Sequence, residues 1–293
     1  MSKAKETKST ENQKSITKII VMSLFAGLLL LITNSALWVN NQIFNTDNFT
    51  NTVTSSLTSE SSRDAVSQNI TDKIFVDRPI AKRIAGNFST KIIGGLLATD
   101  QFGAVVSTSA EKMQGYVVSN DQQDVAIELS GFKDVITKLI AVSESLGRET
   151  TINPENVPDN IMIVNKSEIP NLYKVGVAML WIAPITLIGA LILLAIPYIK
   201  RWNDNRKTLI IQGLLITIVS FAGFLMGPLF KQPVISVVDN SNRKVVVGNL
   251  YDAFIATFNN QTIFLTLFGV LMVLIGTAWV VYPYAKSAVK NRK

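Results

Sequence analysis

The chain has 293 residues, of which 48% are hydrophobic and only 17% charged, with a formal net charge of +7. It contains no cysteine and no histidine. That excludes disulfides, thiolate metal sites, cysteine nucleophiles and any triad built on an imidazole base.

The mean hydropathy, +0.30, is gathered into four charge-free blocks, 19–39, 175–199, 209–230 and 263–282. A bilayer core about 30 Å thick takes roughly 20 apolar residues in a helix. Inside it the backbone must satisfy its own hydrogen bonds, so each block is predicted to be a transmembrane helix. The first block is too long for a signal-peptide core and no small-x-small cleavage site follows, so an uncleaved signal anchor is expected. The fold class predicted is therefore membrane α-helical: four transmembrane helices plus a mainly α extracytoplasmic domain with a small β element.

Orientation follows from lysine and arginine in the short flanks. The segments 1–18, 200–208 and 283–293 together carry 13 basic residues against Glu6, Glu11 and Asp204. They are expected to be cytoplasmic tails and loop. The segment 40–174 carries 12 basic and 16 acidic residues and is the expected extracytoplasmic domain, with 231–262 as a second extracytoplasmic segment. The basic balance is thus a topology signal, and no nucleic-acid partner is expected. Trp38 and Phe230 at the outer ends, and Tyr198, Trp202, Tyr282 and Tyr284 at the inner ends, read as interfacial anchors.

Along 40–174 the apolar spacing is helical in several stretches. Phe49, Val53 and Leu57 recur every fourth residue behind Asp47, read as a cap. Val66, Ile70 and Ile74 follow, and then Ile80, Ile84, Phe88, Ile92 and Leu96 behind a helix-starting Pro79. Gly94 and Gly95 are expected to loosen the end of that helix, and Asp100 to open the next, through Phe102, Val105, Val106, Met113 and Val117. Val125, Ile127 and Leu129 alternate as a strand, and 161–164 forms a second. Between them a helix over 131–146 ends at Gly147, and Ser167 is read as capping a helix that runs into the second span. In 231–262, the β-branched runs 234–238 and 245–247 flank Asp239, Asn240, Ser241 and Asn242, which reads as a hairpin, with Asn249 capping a short helix behind it.

Chemistry-bearing motifs are few. The spans hold only Thr33, Asn34, Ser35, Gln212 and scattered hydroxyls, with no ionisable group at depth, so a proton or ion pathway is not expected. Gly223 and Gly227 form a GxxxG, and Ser23 and Gly27 a second small-xxx-small pair. That spacing suits close helix packing within the bundle or an oligomer interface. Pro184 is expected to kink the second span. The carboxylate pairs Asp121 with Asp124 and Asp72 with Asp77 read as solvated surface, and no enzyme, cofactor or metal is expected. Arg78, Lys82 and Arg83 form a small basic cluster that suits a solvated helix face, or a polyanion or lipid headgroups.

The run Thr46, Asp47, Asn48, Phe49, with Val53, Leu57, Ala65, Val66 and 70–75, resembles a family of integral membrane proteins common in actinobacteria. The segments 125–132 and 161–169 look like that family's strand-to-helix elements. The resemblance implies a four-span membrane protein with a helical extracytoplasmic domain, and it implies no activity and no functional residues. The leading expectation is a non-enzymatic protein of the bacterial cell membrane that binds or organises a cell-envelope component. Its expected partners are the lipid bilayer and a homo-oligomer or envelope protein. The alternative is a permease-like or mechanotransmitting subunit of an ABC-type membrane complex, suggested by the order of spans and the large domain between the first two.

Overall fold

A computed structural model describes residues 2–74, 79–119, 125–128, 160–164 and 173–290. Eight helices are present among them: α1 (Ser2–Gln42), α2 (Thr46–Leu57), α3 (Glu60–Ile74), α4 (Pro79–Leu97), α5 (Asp100–Val118), α6 (Tyr173–Ile199), α7 (Asn205–Ser236) and α8 (Ser241–Lys290). Strands β1 (Val125–Glu128) and β2 (Asn160–Val164) pair antiparallel. The expected helix over 131–146 with its Gly147 end, the Ser167 cap, Asp77, Asp121 and Asp124 fall outside the described residues.

The chain divides into two compact units. A membrane unit comprises 1–40, 177–230 and 255–293, and a second unit comprises 41–176 and 231–254. In the membrane unit, α1, α6, α7 and α8 are each long and apolar enough to cross a bilayer, and the chain is a multi-pass membrane protein. Their shared core is Ala26 and Leu30 from α1, Ala190 and Leu194 from α6, and Ile216 from α7, with Leu265 and Met272 of α8 packed against it. Most other large apolar side chains on these helices are exposed, among them Phe25, Trp181, Phe221 and Phe264. That is the distribution of a bundle whose solvent is hydrocarbon. α6 runs unbroken through Pro184, which is exposed.

In the second unit, α2 packs along α5 and α3 along α4. Asn45 is the cap of α2: its side-chain oxygen accepts from the Asn48 N–H at 2.9 Å, and Asp47 instead sits in the first turn, where its charge favours the helix N-terminus. Thr99 likewise caps α5 by accepting from the Phe102 N–H, and Asp100 occupies the first turn. Phe49 and Val53 are buried as their spacing predicts, against Ala110 and Met113 of α5. On α4 the buried apolar side chains among the described residues are Ile93 and Leu97, while Phe88 of the expected stripe is 38% exposed. The apolar stripe there is two residues wide, so periodicity cannot choose its centre. Gly94 settles it, since it faces α3 where a Cβ would meet Ser67 Oγ at 3.4 Å. The helix also continues past Gly94 and Gly95 to Leu97.

The expected hairpin in 231–262 is replaced by helix. α7 runs on to Ser236, and α8 begins at Ser241 and contains Asn249 in its interior. The turn lies at the expected residues, but it joins two helices and not two strands. Asn240 Oδ1 accepts from the Asn242 and Arg243 N–H groups at 2.9 and 3.1 Å, which starts a helix where a hairpin loop was expected. β-branched residues carry only a weak strand preference, and packing overrides it. The early turns of α8 place Leu250 and Phe254 in the core of the second unit, where the Phe254 ring lies 5.6 Å from that of Phe49. Asn249 Nδ2 donates to Ser61 and Ser62 Oγ, each at 2.8 Å.

This placement is testable by unfolding the detergent-purified protein. Phe254→Ala is expected to destabilise the second unit by about 2–3 kcal/mol through lost burial and a cavity. Val245→Ala, one α8 turn outside that core, is expected to stay within about 0.5 kcal/mol. Equal effects would mean that Phe254 does not belong to the core.

Candidate functional sites

The membrane unit is held by small residues and a few polar ties. Gly223 faces Leu31 and Thr262, Gly227 faces Ile255, and Gly27 faces Val219. Ser23 is fully buried and returns its hydroxyl to the Ile19 carbonyl at 2.6 Å. The three glycines therefore face other helices of the same chain, whereas Ser23 is buried and bonded within α1. The close approach of one helix backbone to another lies elsewhere. A Cβ on Gly213 would come within 2.6 Å of the Gly269 carbonyl oxygen, and one on Gly269 within 2.8 Å of the Gly213 carbonyl oxygen and the Thr217 nitrogen. One further turn pair along α8, Gly276 leaves a Cβ only 2.6 Å from Ile210. Sequence reasoning missed this seam because it looked for glycines four apart. Gly269 and Gly276 are seven apart, which also returns to one helix face.

Several polar side chains of the membrane unit are paired. The hydroxyls of Thr33 (α1) and Thr186 (α6) lie 2.7 Å apart. Asn34 Nδ2 donates to Thr262 Oγ1 at 3.1 Å, and Gln261 Nε2 returns a bond to the Asn34 carbonyl at 3.0 Å. Trp38, expected as an interfacial anchor, donates from Nε1 to Thr257 Oγ1 at 2.9 Å and stacks edge-on against Phe258. Gln212 is buried, donates to the Leu194 carbonyl at 2.8 Å and accepts from the Tyr198 hydroxyl at 2.8 Å. Tyr198 is thus a strut between α6 and α7. Trp202 stands under Lys18 Nζ and Trp279 under the Arg206 guanidinium, each 5.6 Å from the ring centroid.

In the second unit, Arg83 is exposed on α4, Arg78 lies outside the described residues, and so does the side chain of Lys82. A different arginine is set into a site. An open cleft of about 360 Å³ forms where the end of α2, the start of α3, the end of α4 and the start of α5 converge. Thr54, Thr58, Arg63, Thr99 and Asp100 supply its polar wall, and Leu97, Ala98 and Gly103 its apolar part. Arg63 Nε and Thr54 Oγ1 are buried there without a hydrogen-bond partner. Thr58 and Thr99 each donate to a main-chain carbonyl, those of Thr54 and Leu96, so their oxygens keep free lone pairs for a donor. Spacing alone did not single out Arg63, because it belongs to no basic run. Its signal is positional, an arginine four residues after a Thr-Ser helix junction with serines at both i−4 and i+4.

Comparison with known proteins adds no identity: no family model matches the chain, and neither a curated protein nor a solved structure matches it.

Two sets of variants separate packing from polar pairing in the bundle. Gly213→Val or Gly269→Val forces backbone apart and is expected to lower unfolding stability by about 1–3 kcal/mol. Gly115→Ala, a helical position with nothing within 4 Å of the new Cβ, is expected to be neutral or to stabilise by up to about 1 kcal/mol. Gln212→Leu is expected to cost about 1 kcal/mol, and Tyr198→Phe in that background almost nothing more, because the two share one bond. Additive losses would show that the pair does not interact.

Proposed function

We propose that this protein is a non-enzymatic component of a bacterial plasma membrane, with both termini cytoplasmic, whose second unit projects outside the cytoplasm and binds or organises a cell-envelope component. The observation that carries this reading is the second unit itself, a helical body with its own core and an open polar cleft containing an unpartnered arginine. The orientation is supported by the 13 basic residues in the tails and the short loop, which retain a segment on the cytoplasmic side during insertion. The small β element of the second unit belongs to the same outer domain in this reading. The spans, which carry no Asp, Glu, Lys, Arg or His, serve as an anchor and give no ion a charged relay.

The absence of native cysteine makes the orientation directly measurable. Asn51→Cys, at an exposed α2 position, is expected to react with a membrane-impermeant maleimide in intact cells. Lys207→Cys, exposed in the first turn of α7, is expected to react only after permeabilisation. The reverse pattern would invert the topology and remove the proposal. Mild crosslinking of cells carrying a C-terminal tag, followed by mass spectrometry, then tests the role. Recovery of envelope components supports it, whereas an ATPase at near-stoichiometric yield would make the chain a permease-type subunit instead.

A further inference from the structure

Arg63 carries its charge into the cleft on the first turn of α3, with Nε enclosed. Among the described residues neither Arg63 nor Asp100 has an ion-pair partner, although both line the same cleft. A guanidinium with a buried, unsatisfied donor is costly. It is stabilised when a carboxylate or phosphate accepts its fork of N–H groups. Asp100 changes which anion fits. A simple anion would meet its carboxylate across the cleft, whereas a ligand bearing a cationic group beside its anionic one would pair with both walls. The first turn of α3, which carries Arg63, adds favourable dipole for the anionic end, and the free lone pairs of Thr54, Thr58 and Thr99 accept from an ammonium. The volume, about 360 Å³, lies at the small end of ligand-site sizes and suits one compact molecule.

We propose that this cleft binds a small zwitterion of the α-amino-acid class, its carboxylate on Arg63 and its ammonium toward Asp100. The inference deepens the reading of the second unit as a binding domain by giving the chemical class of its ligand, and it rests on that reading. The two fail separately. Inverted cysteine labelling would remove the envelope-facing role and leave the cleft chemistry in place, whereas loss of binding in a correctly oriented protein would remove the ligand class alone.

The test uses the full chain in lipid nanodiscs, titrated calorimetrically with a panel of common free amino acids at millimolar concentration. At least one is expected to bind saturably. Its methyl ester, which lacks the carboxylate, and its N-acetyl form, which lacks the ammonium, are each expected to bind at least about tenfold more weakly. Arg63→Gln and Asp100→Asn are each expected to weaken binding by at least about tenfold, and Arg63→Lys less than Arg63→Gln. Gly103→Leu guards against trivial unfolding. Gly103 lines the cleft and has no atom within 4 Å of a new Cβ, so the side chain occupies ligand space and is expected to abolish binding with the unfolding midpoint unchanged. Several results would overturn the proposal: no panel member binding, the N-acetyl form or inorganic phosphate binding as tightly as the free amino acid, or Arg63→Gln binding like the parent protein.

Discussion

The membrane unit depends on how closely α7 and α8 approach at Gly213 and Gly269, where each glycine lies against the other's carbonyl oxygen. Between two helices in lipid there is no hydrophobic gain, because acyl chains are as apolar as leucine. Association rests on close packing and interhelical hydrogen bonds. The glycine seam provides the first, and the bonds from Asn34, Trp38 and Gln261 toward α1 and α8 provide the second. Once α7 and α8 are fixed, Ile216 projects to meet Ala26, Leu30, Ala190 and Leu194, and the remaining helices have a surface to join.

The second unit is built on the opposite logic. Its interior is only partly apolar: Gln42, Ser56, Ser62, Ser67, Thr71, Ser109 and Gln114 are all buried beside Phe49, Val53 and Leu97. Gln42 Nε2 donates to Thr52 Oγ1 at 2.6 Å, Gln114 Nε2 to the Ile43 carbonyl at 3.2 Å, and the Thr71 and Thr90 hydroxyls lie 3.0 Å apart. Small hydroxyl-bearing residues let α3 and α4 sit close at the cost of apolar area, so specificity here comes from satisfied polar pairs. Where the helix ends meet, the same short side chains leave volume unfilled. That is the physical origin of the cleft.

The four spans could be read from the sequence because charge exclusion over about 20 residues has no common alternative cause. Helix starts were nearly as clear, with Asp47 and Asp100 each lying within two residues of the true caps Asn45 and Thr99. The segment 231–262 was misread because Asn-rich turns serve hairpins and helix starts alike, and valine runs do not decide between them. Long-range packing did, through Leu250 and Phe254. The seam at Gly213 was hidden for a related reason: close approach is a property of two helices, and one sequence window shows only half of it. Arg63 was invisible for a third reason. What marks it is the missing partner around its Nε, which no linear pattern records.

α6 is, with α8, the less buried of the spans. It contributes Ala190 and Leu194 to the shared core and Thr186 to a hydroxyl pair, while Trp181, Ile185, Ile188 and Ile192 are all more than half exposed. At about 1.5 Å per residue its 27 residues extend about 40 Å, longer than a hydrocarbon core about 30 Å thick. A helix in that position answers to the bilayer as much as to its protein contacts, and such a mismatch is absorbed by tilting, kinking or local thickening of the bilayer. Membrane thickness therefore acts on this chain as a mechanical variable, which sterol content, acyl length or lateral tension would adjust without touching a single side chain.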